Sequence, residues 1–312
     1  MIRDMTKGLG LSVAASWAWG TSLIVGMEIA QQKGLHAWII WATANALTLA
    51  LFGALAQSGL LSRRVYDLRI VKAAAILIQV FCLIIQLNII NKVLVQMGAA
   101  PGLAYASATA VGVIFSLWMY RHGLKTSIMT DKFQWAITIA IILSIMLVAL
   151  VSGAAPVTYP ASTGGNVLWG IWSACILFAG PIGDVQHWQR GEVDPRAYYS
   201  GAFWFAVYMV LILAMSSVQF NGLMNALLLV AVLCVTSSTI DSIAVAMHEV
   251  SDKRTGTALA LFICFFWGVF AKIGVIELWS HAGIYRVGFA VAILITAWRL
   301  RHGDRKKEAI GN

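Results

Sequence analysis

The chain has 312 residues, of which 60% are hydrophobic and only 11% are charged, and its formal net charge is +9. Its mean hydropathy is +0.81. Apolar stretches of about 18 residues or more recur from end to end, and each is long enough to cross a hydrocarbon core of roughly 30 Å. This composition excludes a soluble globular protein. It predicts an all-α polytopic membrane protein, with residues 1–312 forming a single transmembrane domain.

Ten membrane-spanning helices are predicted, and an even number places both termini on one side. All but four of the 22 Lys and Arg residues fall at the N-terminus, in or beside the turns after spans 2, 4, 6 and 8, or at the C-terminus, which ends in a basic tail at 301–312; the exceptions are Lys33, Lys92, Lys272 and Arg286. Basic residues favour the cytoplasmic side, so we predict an inner (plasma) membrane protein with both termini cytoplasmic. The positive charge is then a topology signal, and no nucleic-acid partner is expected. The predicted spans are 9–32, 37–58, 69–97, 101–119, 131–152, 166–189, 198–219, 222–249, 255–276 and 282–300.

Span 1 has small and polar residues at its centre. Gly20, Thr21 and Ser22 follow Trp17 and Trp19. Because glycine weakens a helix and hydroxyl side chains compete for backbone groups, we predict that this helix is interrupted between residues 17 and 22. The two tryptophans flank the break, where they are placed either to stack on a substrate or to pack in the core.

Spans 3 and 5 carry amide and acidic side chains. Gln79 and Gln86 lie seven residues apart in span 3, a spacing that puts both on one helix face. Span 5 is predicted to begin at Asp131, which places Asp131 and Gln134 at its cytoplasmic end. Such groups are costly in lipid, so we expect them to face protein or water.

Span 6 is the most irregular segment of the chain. Gly180, Pro181 and Gly183 interrupt its apolar run, and Asp184 and His187 follow directly. Proline removes a backbone donor and clashes with the preceding turn. In lipid the freed carbonyl groups would remain unpaired, so such a break is tolerated only against protein or a wet cavity. We therefore predict a second interruption between residues 179 and 184.

Span 8 contains Asp241, the most expensive residue of the chain to bury in a membrane. Ser238, Asp241, Ser242 and Val245 recur at helical spacing and share one stripe. A carboxylate at membrane depth is a functional candidate by default. The serines and Thr239 are either part of that site or interhelical hydrogen-bonding groups.

The irregular features recur in the same order in each half of the chain. Spans 1 and 6 are broken, and spans 3 and 8 are each about 28 residues long. This order is typical of five-plus-five inverted repeats, here at about 9–152 and 166–300. Backbone groups exposed at such breaks bind solutes and ions in transporters. Ordinary glycine kinks in a helical bundle are the alternative interpretation.

Three stretches resemble the sodium–solute symporter family, which has the LeuT-like five-plus-five fold. "YRHGLKTSIMTDKFQ" (120–134) is similar to a signature between core helices 4 and 5, although His122-Gly123 replaces the usual glycine pair. "GDVQHWQR" (183–190) is similar to the segment that ends the broken sixth helix. "SSTIDSIAVAMHEVSD" (237–252) resembles the Ser-Thr-x-x-Ser signature of helix 8. The chain resembles a short, divergent member with only the ten core helices.

The resemblance implies a sodium ion held between spans 1 and 8. Backbone carbonyls at the first break and in span 8, together with two hydroxyl groups, would coordinate it. Span 1 and span 8 run in opposite directions. The carbonyl oxygens of span 1 lie about 9–14 Å of helix rise from the cytoplasmic side, and the hydroxyl oxygens of span 8 lie about 15–17 Å from it, so the two sets are at similar depth. The implied ligands are Ala15, Ala18, Val235, Ser238 and Thr239.

The resemblance also implies where a solute binds and which groups control access. Asp131 resembles a family aspartate near the inner gate, and Asp241 lies two or three residues nearer the cytoplasm than the sodium hydroxyls, where it would draw the ion in or out. The implied substrate-binding residues are Trp17, Gly20, Thr21, Gln79, Gln86, Gly180, Asp184 and His187.

The function that we expect is secondary active transport. A small polar solute would be imported with sodium by alternating access, by a monomer or homodimer in the lipid bilayer, with no enzymatic activity. Three alternatives stay open: a ten-span exporter of the drug/metabolite type, a sensory input module working with a separate partner, and an intramembrane enzyme using Asp184 and Asp241.

Overall fold

The computed structural model describes the backbone of residues 8–311 and the side chains of residues 8–302. The protein is 85% helical, and the described residues contain no strand, only an isolated antiparallel bridge between Pro156 and Val218. Residues 1–7 and most of the basic tail predicted at 301–312 lie outside the part whose side chains are described. The predicted all-helical fold class is confirmed.

Thirteen α-helices follow one another along the described chain, most of them joined by short turns. They are α1 (Leu9–Trp17), α2 (Gly20–Lys33), α3 (Leu35–Gln57), α4 (Arg63–Tyr66), α5 (Arg69–Gln96), α6 (Pro101–Arg121), α7 (Leu124–Val151), α8 (Gly164–Gly183), α9 (Val185–Val193), α10 (Ala197–Ser216), α11 (Gly222–Val250), α12 (Lys253–Phe266) and α13 (Val275–Gly311), with a 3₁₀ turn at Trp267–Phe270.

Nine of the described helical segments are long and apolar enough to cross a membrane by themselves. The pair α1 and α2 passes the same test together, bent by 57° at the residues between them, which makes up to ten spans. Large apolar side chains cover the outside of the bundle, as expected for a surface in contact with lipid tails. The protein is therefore built to be embedded in a membrane.

The start of the fifth span was predicted wrongly. Helix α7 begins at Leu124, seven residues before the predicted start, so Asp131 lies inside the helix and is fully buried. The polar first turns are helical because Ser127 and Thr130 point inward and donate hydrogen bonds to another helix. Helix α7 thus has 28 residues, as many as α5, so great length does not single out spans 3 and 8.

Helix α11 lies at the centre of the bundle. It contacts α1, α2, α5, α6, α7, α9 and α12. Every residue from Val235 to Met247 is buried, so this stretch has no lipid-facing side although it contains Ser238, Asp241 and Ser242. A polar segment surrounded by protein on all sides is where a membrane protein can hold charge, and the functional site is built around it.

Candidate functional site

The first span is interrupted at Ala18 and Trp19, within the predicted range. Ala18 has φ −75° and ψ 64°, and the Trp19 N–H donates to the Trp17 carbonyl at 2.8 Å, which is an inverse γ-turn. Helix α2 then starts at Gly20 without a side-chain cap. All four residues from Trp17 to Gly20 are buried, so the break faces protein and not lipid.

Neutral side chains hold this first break in place. The Trp17 indole N–H donates to the carbonyl and the side-chain oxygen of Asn45, at 3.2 and 3.1 Å. The Gln86 side-chain oxygen accepts the Gly20 N–H at 3.1 Å. Gly20 must be small, since an added Cβ would lie 2.6 Å from the Thr236 methyl group. These neutral groups thus anchor the break on α3, α5 and α11.

The second interruption lies at Asp184, and the prediction that Pro181 causes it is wrong. Helix α8 runs through Pro181 to Gly183, and only Asp184 is extended, with φ −105° and ψ 112°. A proline inside a helix costs one hydrogen bond, which need not end the helix. The Asp184 carboxylate instead starts a new helix, because it accepts the Gln186 N–H at 3.3 Å as the N-cap of α9.

The Asp184 carboxylate is buried and is satisfied by amide side chains. Gln79 of α5 donates to one oxygen at 2.8 Å, and the Gln186 side chain donates to the other at 2.6 Å. Gln79 and Gln86 share one face of α5, as predicted, and each holds a different break. This helix therefore fixes the spacing between the two interruptions.

A tryptophan of the first break packs directly against the second broken segment. An added Cβ on Gly180 would lie 2.5 Å from Cη2 of Trp17, so the indole ring sits where any larger residue would place its side chain. His187 lies on another side of the same indole, with ring centroids 5.2 Å apart, and its Nδ1 is 3.2 Å from the Tyr198 hydroxyl. Trp17, Gly180 and His187 therefore come together, and their role in binding a substrate stays a prediction.

A fully buried ion pair joins α9 to α7. Arg190 Nη2 lies 2.6 Å from Asp131 Oδ2, and neither side chain is exposed. The other Asp131 oxygen accepts from Ser238 at 2.7 Å, and Ser12 of α1 donates to Oδ2 at 2.6 Å. Arg190 was predicted to be a basic residue of the cytoplasmic turn. That prediction is wrong, because α9 carries Arg190 back into the bundle, where Asp131 balances its charge.

Asp241 adjoins this ion pair but is held by hydroxyl groups. Ser127 and Thr130 of α7 donate to its two oxygens at 2.8 and 2.7 Å. Ser242 bridges the two groups, since it accepts from Arg190 at 2.9 Å and lies 3.2 Å from Ser127. Two carboxylates face one guanidinium, so the cluster has one negative charge in excess when both are ionised. Asp241 is where a cation or a proton would restore balance.

An open vestibule of about 410 Å³ lies at the end of the bundle that carries the turns at 58–68, 122–123, 194–196 and 251–252. Gln189 and Val245 are among its lining residues, and Val245 lies one helical turn from Asp241. Charged residues surround the opening. Arg63 pairs there with Glu249 of α11 and with Glu192 of α9, the latter at 3.1 Å.

The Arg63 pairs continue outward to Asp67 and Lys72. Arg63 Nε lies 3.4 Å from one carboxylate oxygen of Asp67, and Lys72 Nζ lies 2.9 Å from the other. The hydrogen bond from Lys72, followed by the charges of Lys72 and Arg63, lowers the pKa of the Asp67 carboxyl. These groups are partly exposed, so each pair contributes little to stability. Their position across α4, α9 and α11 ties together the helices that line the vestibule.

The oxygens of the predicted sodium site lie on neighbouring helices and mostly have protein partners. The Ala15 carbonyl accepts the Ala18 N–H at 3.2 Å, and the Val235 carbonyl accepts the Thr239 hydroxyl at 2.9 Å. The Ser238 hydroxyl donates to Asp131. A donating hydroxyl keeps oxygen lone pairs for a metal ion, so the sodium assignment stays a prediction.

Sequence reasoning missed the role of four residues in this region. Ser12, Ser127 and Arg190 complete the buried cluster, and Arg286 lies buried beside the first break, although it was grouped with the basic residues of the far side. The Asp184-x-Gln186 pattern was the available signal for Arg190. An N-cap aspartate marks the start of a new helix, and Arg190 lies in the helix that Asp184 begins. No local signal indicates where the partners of Ser12 lie, because they come from distant helices.

Comparison with known proteins does not show a family for this chain. No protein-family model matches the chain, and no curated protein matches it.

Proposed function

We propose that this protein is a secondary active transporter that imports a small polar solute by sodium-coupled alternating access. The proposal includes ten spans in two inverted repeats, a plasma-membrane location and cytoplasmic termini. One observation carries it: the break at Ala18–Trp19 and the break at Asp184 are both buried and are held by the same face of α5. Helices interrupted at membrane depth against protein are typical of transporter binding sites.

Sodium coupling is proposed at the junction of the first break and α11. The carbonyls of Ala15, Ala18 and Val235 and the hydroxyls of Ser238 and Thr239 would provide several hard oxygen ligands without a formal charge. Asp131 would sense occupancy, since Ser238 already donates to it at 2.7 Å. An ion bound there would hold α1 against α11 and would thereby favour one of the alternating conformations.

Proton coupling is the second candidate, and Asp241 is the observation that favours it. Its oxygens accept from the hydroxyls of Ser127 and Thr130, whereas Arg190 contacts Asp131. A carboxylic acid can take up a proton in that place without breaking the ion pair. The nearby vestibule would supply the route to water.

The test is uptake into proteoliposomes at fixed membrane potential, with labelled amino acids, sugars and organic acids as the solute panel. We expect a sodium gradient to drive uptake of at least one solute, and Ser238→Ala/Thr239→Ala to weaken that stimulation at least tenfold. The control is Ser144→Ala/Thr296→Ala, which removes two peripheral hydroxyls that bond only to their own helices. Uptake that ignores sodium and is lost in Asp241→Asn would replace sodium by protons. No uptake of any solute under either gradient would contradict transport.

A further inference from the structure

A small cavity adjoins the first break on the side away from the acidic cluster. Its interior volume is about 20 Å³, room for roughly one water-sized group. The hinge itself forms one wall, through Trp17, Trp19, Thr21 and Ser22. Because these residues belong to the two helices that meet at 57°, a change in that angle would change the size of the cavity. Of the predicted substrate residues, only Trp17 and Thr21 line it.

Three buried nitrogen donors on the cavity wall have no hydrogen-bond acceptor in the protein. They are Nε of Arg286, Nε1 of Trp41 and Nδ2 of Asn45. Trp17 fixes the orientation of the Asn45 amide, because its indole N–H donates to the side-chain oxygen, so the amide nitrogen points away from the indole. Leaving a buried donor unpaired is costly. Three around one cavity indicate a ligand that accepts hydrogen bonds.

Arg286 adds a positive charge that no carboxylate neutralises by direct contact. Its guanidinium lies 4.3 Å from the centre of the Trp19 ring, and Nη2 donates to the Cys82 sulfur at 2.8 Å. Among the described side chains it forms no ion pair. Asp184 lies within electrostatic range of the Arg286 charge. Its two oxygens accept hydrogen bonds from Gln79 and Gln186 and do not contact Arg286 directly.

The remaining walls favour an anion with an apolar body. The cavity lining contains no acidic residue. Trp17, Trp19, Trp41 and Trp279 provide flat apolar surface. Acceptor oxygens and a single negative charge on a small apolar group are the properties of a monocarboxylate.

We propose that this cavity binds the carboxylate of a small organic monoanion, with Arg286, Trp41 and Asn45 as its hydrogen-bond donors. The inference rests on the proposed transport function, for which it names the class of solute. The carboxylate sits between the donors, and the apolar body lies among the tryptophan rings after the hinge opens the cavity. In the conformation described the hinge is closed over the site.

The test is calorimetric titration of the purified full-length protein in lipid nanodiscs, without any ion gradient. The probes are benzoate, its neutral analogue benzamide, acetate and chloride. We expect benzoate to bind and benzamide not to bind, with acetate weaker because it lacks the larger apolar body. Benzoate affinity should fall at least tenfold in Arg286→Gln and severalfold in Trp41→Phe, which keeps the ring but removes the donor.

The matched control is Arg299→Gln, which removes an exposed charge from the same helix and should leave binding unchanged. Arg286→Lys keeps the charge and tests the guanidinium if Arg286→Gln does not fold. Equal binding of benzoate and benzamide, binding of chloride alone, or unchanged benzoate affinity in Arg286→Lys and Trp41→Phe would overturn the proposal. Benzoate binding without uptake would contradict transport and leave this site standing. Uptake of a neutral solute with no carboxylate binding would do the reverse.

Discussion

The two helix interruptions of this protein differ in how they are made. The first has two non-helical residues, a bend of 57° and neutral hydrogen-bonding anchors, namely Asn45 and Gln86, with Arg286 stacked on Trp19. The second has one extended residue, Asp184, and is followed by a short helix that carries the buried Arg190. Backbone geometry dominates the first break and side-chain charge dominates the second.

This difference assigns different tasks to the two regions. A break that is anchored by neutral hydrogen bonds can change its angle without separating an ion pair in a medium of low dielectric constant, so it suits a hinge. A charged segment is held by specific partners, because a buried charge without its partner is very costly. We therefore expect α1 and α2 to move relative to each other, and α9 to stay attached to α7 and α11.

Replacing Arg190 should have the largest effect on the charged region. Arg190→Met leaves Asp131 buried without its partner, which should lower the free energy of unfolding by about 3–5 kcal/mol. Thermal unfolding of the purified protein measures the loss. The exposed Arg196, at the start of α10, provides the control as Arg196→Gln, which should change little.

The double variant Asp131→Leu/Arg190→Met sharpens this result. Removing both charges together should restore part of the stability, because no unpaired charge of the Arg190–Asp131 pair remains. A double variant no more stable than Arg190→Met would show that the hydroxyl groups around the pair, and not the pair itself, hold α9 in place.

Removing the capping carboxylate should have the next largest effect. Asp184→Ala leaves the side-chain donors of Gln79 and Gln186 buried without an acceptor and removes the cap of α9. We expect a loss of about 2–3 kcal/mol in the same unfolding measurement. Asp252→Ala is the comparison, since it removes an N-cap of α12 that is exposed to solvent and should cost about 1 kcal/mol. Equal losses in the two variants would mean that Asp184 is only a cap.

Filling the contact between the two regions should have a smaller effect on stability and a clear effect on activity. Gly180→Ala places a methyl group against the Trp17 ring, which costs about 1–3 kcal/mol, while the gain in helix propensity returns roughly 1 kcal/mol. A net loss near 1 kcal/mol should accompany slower sodium-driven uptake. Gly164→Ala, in open space at the other end of α8, should affect neither. Normal uptake by Gly180→Ala would show that the hinge moves independently of α8.

Replacing the proline should have the smallest effect. Pro181→Ala restores a backbone donor inside a helix that already continues through this position, so stability should stay equal or rise by up to about 1 kcal/mol. Uptake should be unchanged, because Asp184 and not Pro181 ends α8. A folded Pro181→Ala variant without uptake would show that the proline takes part in transport and would weaken the contrast between the two breaks.

Much of the fold was predictable because hydropathy and glycine placement are local properties. The first break lies inside the predicted range of residues 17–22, and Asp241, which was identified as the residue most costly to bury in a membrane, is enclosed by protein. Gln79 and Gln86 face the protein interior on one side of α5, as predicted, whereas their contacts with Gly20 and Asp184 were not predicted. The start of α7 was missed because the inward direction of Ser127 and Thr130 depends on α11, which is more than 100 residues away.

The sequence by itself therefore determined that this is a helical membrane protein, roughly where its spans lie, and which residues are too costly to face lipid. The tertiary structure decided which of those residues meet. Arg190 looked like a basic residue of a turn, and only the approach of α1, α7 and α11 makes it the centre of a buried cluster. The reason is physical: the cost of burying a charge can be calculated from its own residue, but the compensation comes from partners such as Ser12 and Asp131, which lie 178 and 59 positions away in the chain.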